Sequence, residues 1–181
     1  MTLEKEEKTI STLPAFFERI ASRQASQNTC LCIGLDPDPD RMPGHLKDDL
    51  FAFGRDIIDA TADLVCCYKP QIAFYARHGA EDQLEKTIDY LKSLNIPVLL
   101  DAKRGDVGNT AAQYAGELFE RYGADAVTIN PYLGLDSIAP FLDYKDRGVF
   151  VLCRTSNAGG ADGQNLILEQ GAPLYEHIAR E

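Results

Sequence analysis

The sequence predicts an α/β fold with an all-parallel sheet, and three observations carry that reading. Short apolar runs alternate with amphipathic segments along the chain, the pattern of repeated βα units. The apolar runs are nearly continuous rather than alternating, as in strands covered on both faces. Polar residues gather where those runs end: Asp36, Lys69, Asp101, Lys103, Asn130, Thr155 and Ser156. In a (β/α)8 TIM barrel the active site lies at those C-terminal strand ends, and a doubly wound sheet binds ligands there too, at its switch point. The link after the first strand, Asp36-Pro37-Asp38-Pro39-Asp40, lacks the glycine-rich phosphate turn of a dinucleotide fold. That favours the barrel.

Each element follows from local pattern. Residues 13–23 have helical periodicity, with Phe16, Phe17 and Ile20 on one face. Residues 30–35 are an apolar run ending at Asp36-Pro37, a buried strand. Residues 50–64 are helical, and residues 65–74 contain a second strand that carries Lys69. Residues 81–94 form a helix stopped by Asn95 and Pro97. The third strand is 98–103. A helix over 110–122 ends at Gly123, and the fourth strand, 126–130, is stopped by Pro131. A helix over 137–144 ends near Gly148, the fifth strand is 149–153, and residues 174–180 begin a further helix. This gives about five βα units, against eight in roughly 250 residues for the complete fold. The 181-residue chain is therefore expected to be a flexible arm, 1–11, followed by a partial TIM barrel, 12–181. Its outer strand edges would be bare, and it would have little activity alone.

Bulk properties narrow the function classes. A formal net charge of −10 argues against general binding to nucleic acid or a membrane surface. A locally basic site can still hold an anion, and Lys69, Lys103 and Arg104 are the candidates, with a solvated position as the equal alternative for Arg104. No apolar stretch is long enough to span a bilayer. The charged N-terminus lacks the apolar core of a secretory signal. The five cysteines (Cys30, Cys32, Cys66, Cys67 and Cys153) are odd in number and show no Cys-x-x-Cys spacing. Most lie in apolar runs, where a free thiol behaves as a small hydrophobe. A reducing, cytoplasmic compartment is expected. His45, His78 and His177 are scattered, so no metal site is expected.

The run Asp101-Ala102-Lys103-Arg104-Gly105-Asp106 follows the apolar Pro97-Val98-Leu99-Leu100. Alternate residues of a strand share a face, so Asp101 and Lys103 leave the strand side by side, and Gly105 lets the chain turn before Asp106. A lysine between two carboxylates is held in its charged form. Such an ammonium suits protonating or stabilising a carbanion rather than nucleophilic attack. Charge spacing alone fits a surface salt-bridge cluster at a strand end equally well, but ionisable groups delivered by a buried strand mark functional sites more often than chance.

This D-x-K-x-x-D pattern resembles the signature of the orotidine 5'-phosphate decarboxylase superfamily, and the wider run 101–110 resembles the decarboxylase family in its longer bacterial subfamily. Taken alone it leaves open a magnesium-dependent sugar-phosphate decarboxylase or aldolase of the same superfamily. The runs Gly34-Leu35-Asp36-Pro37-Asp38, Tyr68 to Tyr75 and Cys153-Arg154-Thr155-Ser156-Asn157 select the decarboxylase of pyrimidine synthesis. Ala158 departs from it, standing where this subfamily is expected to have proline. The resemblance implies a cofactor-free conversion of orotidine 5'-phosphate to UMP in a homodimer with shared sites. It implies that Lys69, Asp101, Lys103 and Asp106 are catalytic: Lys103 donates the proton, Lys69 bridges the ribose and Asp101, Asp101 faces the substrate carboxylate, and Asp106 reaches the partner's site and holds its Lys103. It implies that Asp36 binds a ribose hydroxyl, that Val107 and Thr110 accompany Asp106 across the interface, and that Ser156 holds the pyrimidine ring. Each has a plainer reading beside it. Asp36 is otherwise a turn residue, Lys69 a snorkelling strand-end lysine, Thr110 a helix cap, and Ser156 a loop residue. The phosphate-holding glutamine and arginine of the family are expected beyond residue 181. A non-catalytic fragment that keeps the ligand motifs is the reading from another class.

Overall fold

A computed structural model describes residues 15–181; the expected arm, 1–11, lies outside the described residues. Helix α1 (Ala15–Gln27) precedes strand β1 (Cys32–Leu35). A single 3₁₀ turn (Gly44–Leu46) then leads to α2 (Leu50–Thr61), whose first turn is capped by the Asp49 carboxylate accepting from the Ala52 amide at 2.8 Å. Strand β2 (Cys67–Pro70) runs straight into α3 (Ile72–Ala76), followed by α4 (Glu81–Ser93). Strand β3 (Leu99–Arg104) leads to α5 (Gly108–Gly116), which continues as a π-helical turn (Glu117–Arg121). Then come β4 (Ala126–Ile129), α6 (Leu135–Leu142), β5 (Gly148–Val151), α7 (Gly160–Gln164) and α8 (Leu174–Arg180).

The pairings among these five strands are parallel. Strand β1 pairs with β2, Cys32 opposite Cys67, and β3, β4 and β5 form a ladder with Leu99, Ala126 and Gly148 abreast. Parallel bridges from Tyr68 to Val98 and from Gln71 to Asp101 join β2 to β3. The spatial order is therefore the chain order, β1 to β5. A doubly wound sheet reverses its order at a switch point; this one winds in a single direction, as the wall of a (β/α) barrel does. Five strands, of the eight that such a barrel has, lie among the described residues.

Two apolar layers hold the wall. On the helix side, Tyr68, Val98, Leu100, Val127 and Ile129 are buried against Ile58 of α2, Leu84, Ile88 and Leu91 of α4, Leu118, and Phe141 of α6. On the inner side, Phe16 of α1 packs on Leu99 and Ala126. The ring lies so close to Gly148 that a methyl there would sit 2.7 Å from it. Arg19 of α1 reaches the Asp125 carboxylate at 2.5 Å, and Arg147 flanks that carboxylate at 3.8 Å. The Val98 amide also donates to Asp125, at 2.9 Å. One buried carboxylate thus pins α1 and β3 to the start of β4.

The five expected strands are present. The helix at Glu81–Ser93 ends as its sequence requires: Asn95 takes φ +54, and the Ile96 amide bonds back to the Leu91 carbonyl at 3.0 Å, a Schellman closure. Helices α3 and α7 were not expected; at five residues each they are too short to show a period. The helix expected over 110–122 starts two residues earlier and finishes as the π turn. The picture of the cysteines as small core hydrophobes holds for Cys66 and Cys67 but not for Cys30 and Cys32, which are exposed. Cys32 lies on the inner face of the wall, two residues before Gly34.

Candidate active site

The site is built on an irregularity in β3. The strand pairs regularly with β4 as far as Leu100 opposite Val127, and again at Arg104 opposite Ile129. Between those points Asp101, Ala102 and Lys103 face the single residue Thr128. Such a bulge re-aims side chains. The Thr128 hydroxyl accepts from the Ala102 and Lys103 amides, both at 3.0 Å, where a regular ladder would offer carbonyls. Lys103 takes φ +47, a left-handed conformation uncommon outside glycine. The chain rejoins β4 through the Asn130 amide, which donates to the Arg104 carbonyl at 2.7 Å. Gly105 then passes so near Asn130 that a methyl would lie 3.1 Å from its carbonyl oxygen.

Asp101 is the hub, 6% exposed. One carboxylate oxygen accepts from Lys103 Nζ at 2.6 Å and Thr128 Oγ1 at 2.7 Å. The other accepts from Lys69 Nζ at 3.2 Å and Gln71 Nε2 at 3.0 Å. Four donors fill the acceptor capacity of a carboxylate. Burial pushes this carboxyl group up, but the hydrogen bonds from Lys103 and Thr128 and the charge of Lys69 outweigh it. The group lies below the ordinary carboxylate range. Both lysines are only partly covered, with side-chain exposures of 33% for Lys69 and 47% for Lys103. Each therefore presents donors to the space beyond the strand ends while anchored from behind. A groove of about 210 Å³ opens there, lined by Lys103, Gly105, Asn130, Tyr132 and Leu133. A wider cleft of about 480 Å³ along α5 is lined by Glu117, Glu120, Arg121 and Tyr144. It holds none of the strand-end groups, so the smaller groove is the chemically equipped one.

Four of the candidate residues lie around this hub. Lys69, Asp101 and Lys103 are in direct contact. Asp36 follows β1 close by, since a methyl on Gly34 would lie 3.6 Å from Asp36 Oδ1 and 4.0 Å from Lys69 Nζ. The remaining four are elsewhere. Asp106 accepts from the Val107 amide at 2.8 Å, and among the described residues its carboxylate meets no lysine. Within one chain Lys103 therefore lies against one carboxylate, not between two. Val107 is exposed, and Thr110 sits inside the first turn of α5, whose N-cap is Val107; Thr110 is not the cap. Ser156 is exposed in the loop after β5. Its neighbour Thr155 is tied to Gln164 of α7, whose Oε1 accepts from the Thr155 amide at 2.8 Å.

Arg104 does not contribute to a basic site. It forks onto Glu117 at 3.1 Å and lies over the Tyr114 ring at 5.0 Å. Being the next residue after Lys103, it leaves the strand on the other face. Two residues the sequence reading left without a role, Gln71 and Thr128, hold the hub. Gln71 is two residues after Lys69 and so shares its face. Thr128 is the one polar side chain within β4 and lies two residues after the inward Ala126. Strand alternation, applied to uncharged residues, points to both. Among the described residues no three His, Cys, Asp or Glu side chains come together as a metal site, and no helix is long and apolar enough to cross a membrane.

Comparison with known proteins points to a family. Residues 29–181 match the family described as orotidine 5'-phosphate decarboxylase / HUMPS. Orotidine 5'-phosphate decarboxylase of Janthinobacterium sp. (strain Marseille) is 58% identical over 170 residues, covering 91% of this chain and 62% of that protein. The protein of the same name from Cellvibrio japonicus is 55% identical over 172 residues, covering 91% and 63%. Among solved structures, Leishmania donovani OMP decarboxylase superposes with a TM-score of 0.80 at 38% identity, covering 91% of this chain and 63% of that one. Plasmodium berghei orotidine 5'-monophosphate decarboxylase gives 0.83 at 26% identity, covering 92% and 69%. The chain thus spans a little under two thirds of the length of the curated relatives it matches.

Proposed function

Because the chain belongs to the orotidine 5'-phosphate decarboxylase / HUMPS family, we propose that the complete polypeptide carrying it converts orotidine 5'-phosphate to UMP and carbon dioxide without a cofactor. The observation that carries this reading is the Asp101 carboxylate holding two partly exposed ammonium groups, Lys69 and Lys103, at the C-terminal end of the wall. In the reaction, the bond from the ring carbon to the carboxylate breaks and its electron pair stays on that carbon. The leaving group is carbon dioxide. No adjacent group on the ring delocalises the pair, so fixed charges must stabilise it where it forms. Lys103 Nζ gives a proton to that carbon and regains one from water. Asp101 aims Lys103 from behind, and Lys69 fixes the far side of Asp101 while its free donors face the ribose. Asp36, beside Lys69, takes a ribose hydroxyl, and Ser156 takes the edge of the pyrimidine ring. Val107 and Thr110 line the approach from the other subunit.

The same reading places the enzyme in the cytoplasm as a homodimer. All five cysteines are free thiols, in keeping with a reducing compartment. Among the described residues Asp106 pairs with no lysine, its carboxylate accepting from the Val107 amide. At the same end of the molecule Val107, Tyr132, Leu133 and Leu135 are exposed by 54%, 87%, 44% and 68%. Apolar groups of this size around a charged turn fit a two-fold partner whose Lys103 meets Asp106.

The test is turnover of orotidine 5'-phosphate by the complete polypeptide, with UMP counted against substrate lost, in the presence and absence of EDTA. One UMP per substrate, unchanged by EDTA, is expected. A magnesium-dependent sugar-phosphate enzyme would leave this substrate intact, and a non-catalytic fragment would bind UMP without turning anything over.

A further inference from the structure

We propose that Thr128 is a positioning residue for Lys103, its single hydroxyl fixing both the turn Lys103 makes and the carboxylate on which Lys103 rests. The inference deepens the decarboxylase reading and rests on it for the reaction measured.

A threonine hydroxyl has one proton to give and two lone pairs to receive. Thr128 uses all three: it donates to Asp101 at 2.7 Å and accepts from the Ala102 and Lys103 amides at 3.0 Å each. It is 8% exposed, so water does not readily replace those bonds. Three consecutive residues of β3 therefore take their places from one side chain of β4. The left-handed backbone at Lys103, φ +47, is a conformation that persists only where its surroundings impose it. With the hydroxyl gone, two amides lose their acceptor, and nothing then imposes the left-handed turn that sets where Lys103 points.

The carboxylate is held from every side. Lys69 and the neutral Gln71 reach it from the β2 side, Lys103 from its own strand, and the neutral Thr128 from β4, with Asp36 flanking Lys69. Thr128 and Gln71 grip opposite oxygens, so together they set the rotation of the carboxylate plane and hence the line along which Lys103 points. A proton donor displaced by about 1 Å loses on the order of 100-fold in rate.

The test compares Thr128→Val, which keeps the shape but not the hydroxyl, with Thr128→Ser, which keeps the hydroxyl. In the complete polypeptide, the valine variant is expected to lose about 100-fold in kcat, with KM for orotidine 5'-phosphate changed less than about threefold. The serine variant should stay within about fivefold of wild type. A valine variant that keeps kcat, or a serine variant as impaired as valine per folded molecule by circular dichroism, overturns the assignment. A second readout needs no turnover: titration of the Asp101 carboxyl by carbon NMR. Its pKa should rise in the valine variant and not in the serine variant, and an unchanged titration in the valine variant also overturns the assignment. If the wild type itself fails to decarboxylate orotidine 5'-phosphate, the functional reading falls, while the titration still decides the role of Thr128.

Discussion

Asp101 accepts four hydrogen bonds in a buried position, and this has a consequence in acid. Its folded-state pKa lies below the ordinary carboxylate value, burial notwithstanding, because of Lys103, Thr128 and Lys69. A carboxyl group depressed by folding contributes stability above its unfolded pKa, about 3.9. That contribution is lost as pH falls through the lower folded value. Asp101→Asn removes the titration. The difference in melting temperature between wild type and variant should be constant from pH 7 to about pH 5 and should shrink below about pH 4; a gap that stays constant into stronger acid would contradict the carboxylate's depressed state. The charged members of this cluster were legible from the sequence, because charge at a strand end is conspicuous and alternation places Asp101 beside Lys103. The contact is there, at 2.6 Å, though a bulge delivers it rather than a regular strand. Gln71 and Thr128 were not found because neither carries charge and their contacts span 30 and 27 residues. The register of neighbouring strands makes those contacts, and no local pattern displays it. Arg104 was misplaced for a related reason: its partner Glu117 lies 13 residues on, just past the end of α5.

At the scale of elements, the strands were readable because each is a short apolar run closed by proline, aspartate or glycine, and α2 and α4 because their apolar period is sustained over three turns. The bulge at residues 101–103 could not be read, since it exists only against Thr128. Nor could the anchoring of α1, where Arg19 meets a carboxylate 106 residues away. That anchoring explains a demand on β5. Gly148 sits under the Phe16 ring, with Ala126 beside it, and a methyl would come within 2.8 Å of the Ala126 side chain. Neither neighbour can swing away, because Phe16 is wedged between Phe17, at 5.1 Å, and Phe150, at 6.0 Å between ring centroids. Gly148→Ala is therefore expected to destabilise the fold by about 1–3 kcal/mol through overpacking, read as a lower midpoint in urea at unchanged slope. A midpoint equal to wild type would mean that α1 is not packed on the wall as described.

At the scale of the whole molecule, five strands in chain order form one continuous wall, and everything chemical stands along its C-terminal rim. The proposed shared-site dimer makes a specific demand there. A Lys103→Ala protomer and an Asp106→Ala protomer are each expected to be nearly inactive. In a mixed dimer, one site in two receives both intact residues. Mixing the variants under conditions that exchange subunits should restore up to about a quarter of wild-type activity, since about half the dimers are mixed; no recovery would show that Asp106 acts within its own chain. The proposed decarboxylation rests above all on the ammonium of Lys103, aimed by Asp101, acting in the chemical step. Its most direct test is a pair of numbers from Lys103→Ala in the complete polypeptide, kcat for orotidine 5'-phosphate and Kd for UMP. A group working mainly in the transition state lowers the first far more than it weakens the second. A loss in kcat of at least about 100-fold is expected, the usual worth of a positioned proton donor, with UMP binding within about tenfold of wild type. A variant that turns over orotidine 5'-phosphate at the wild-type rate would contradict it.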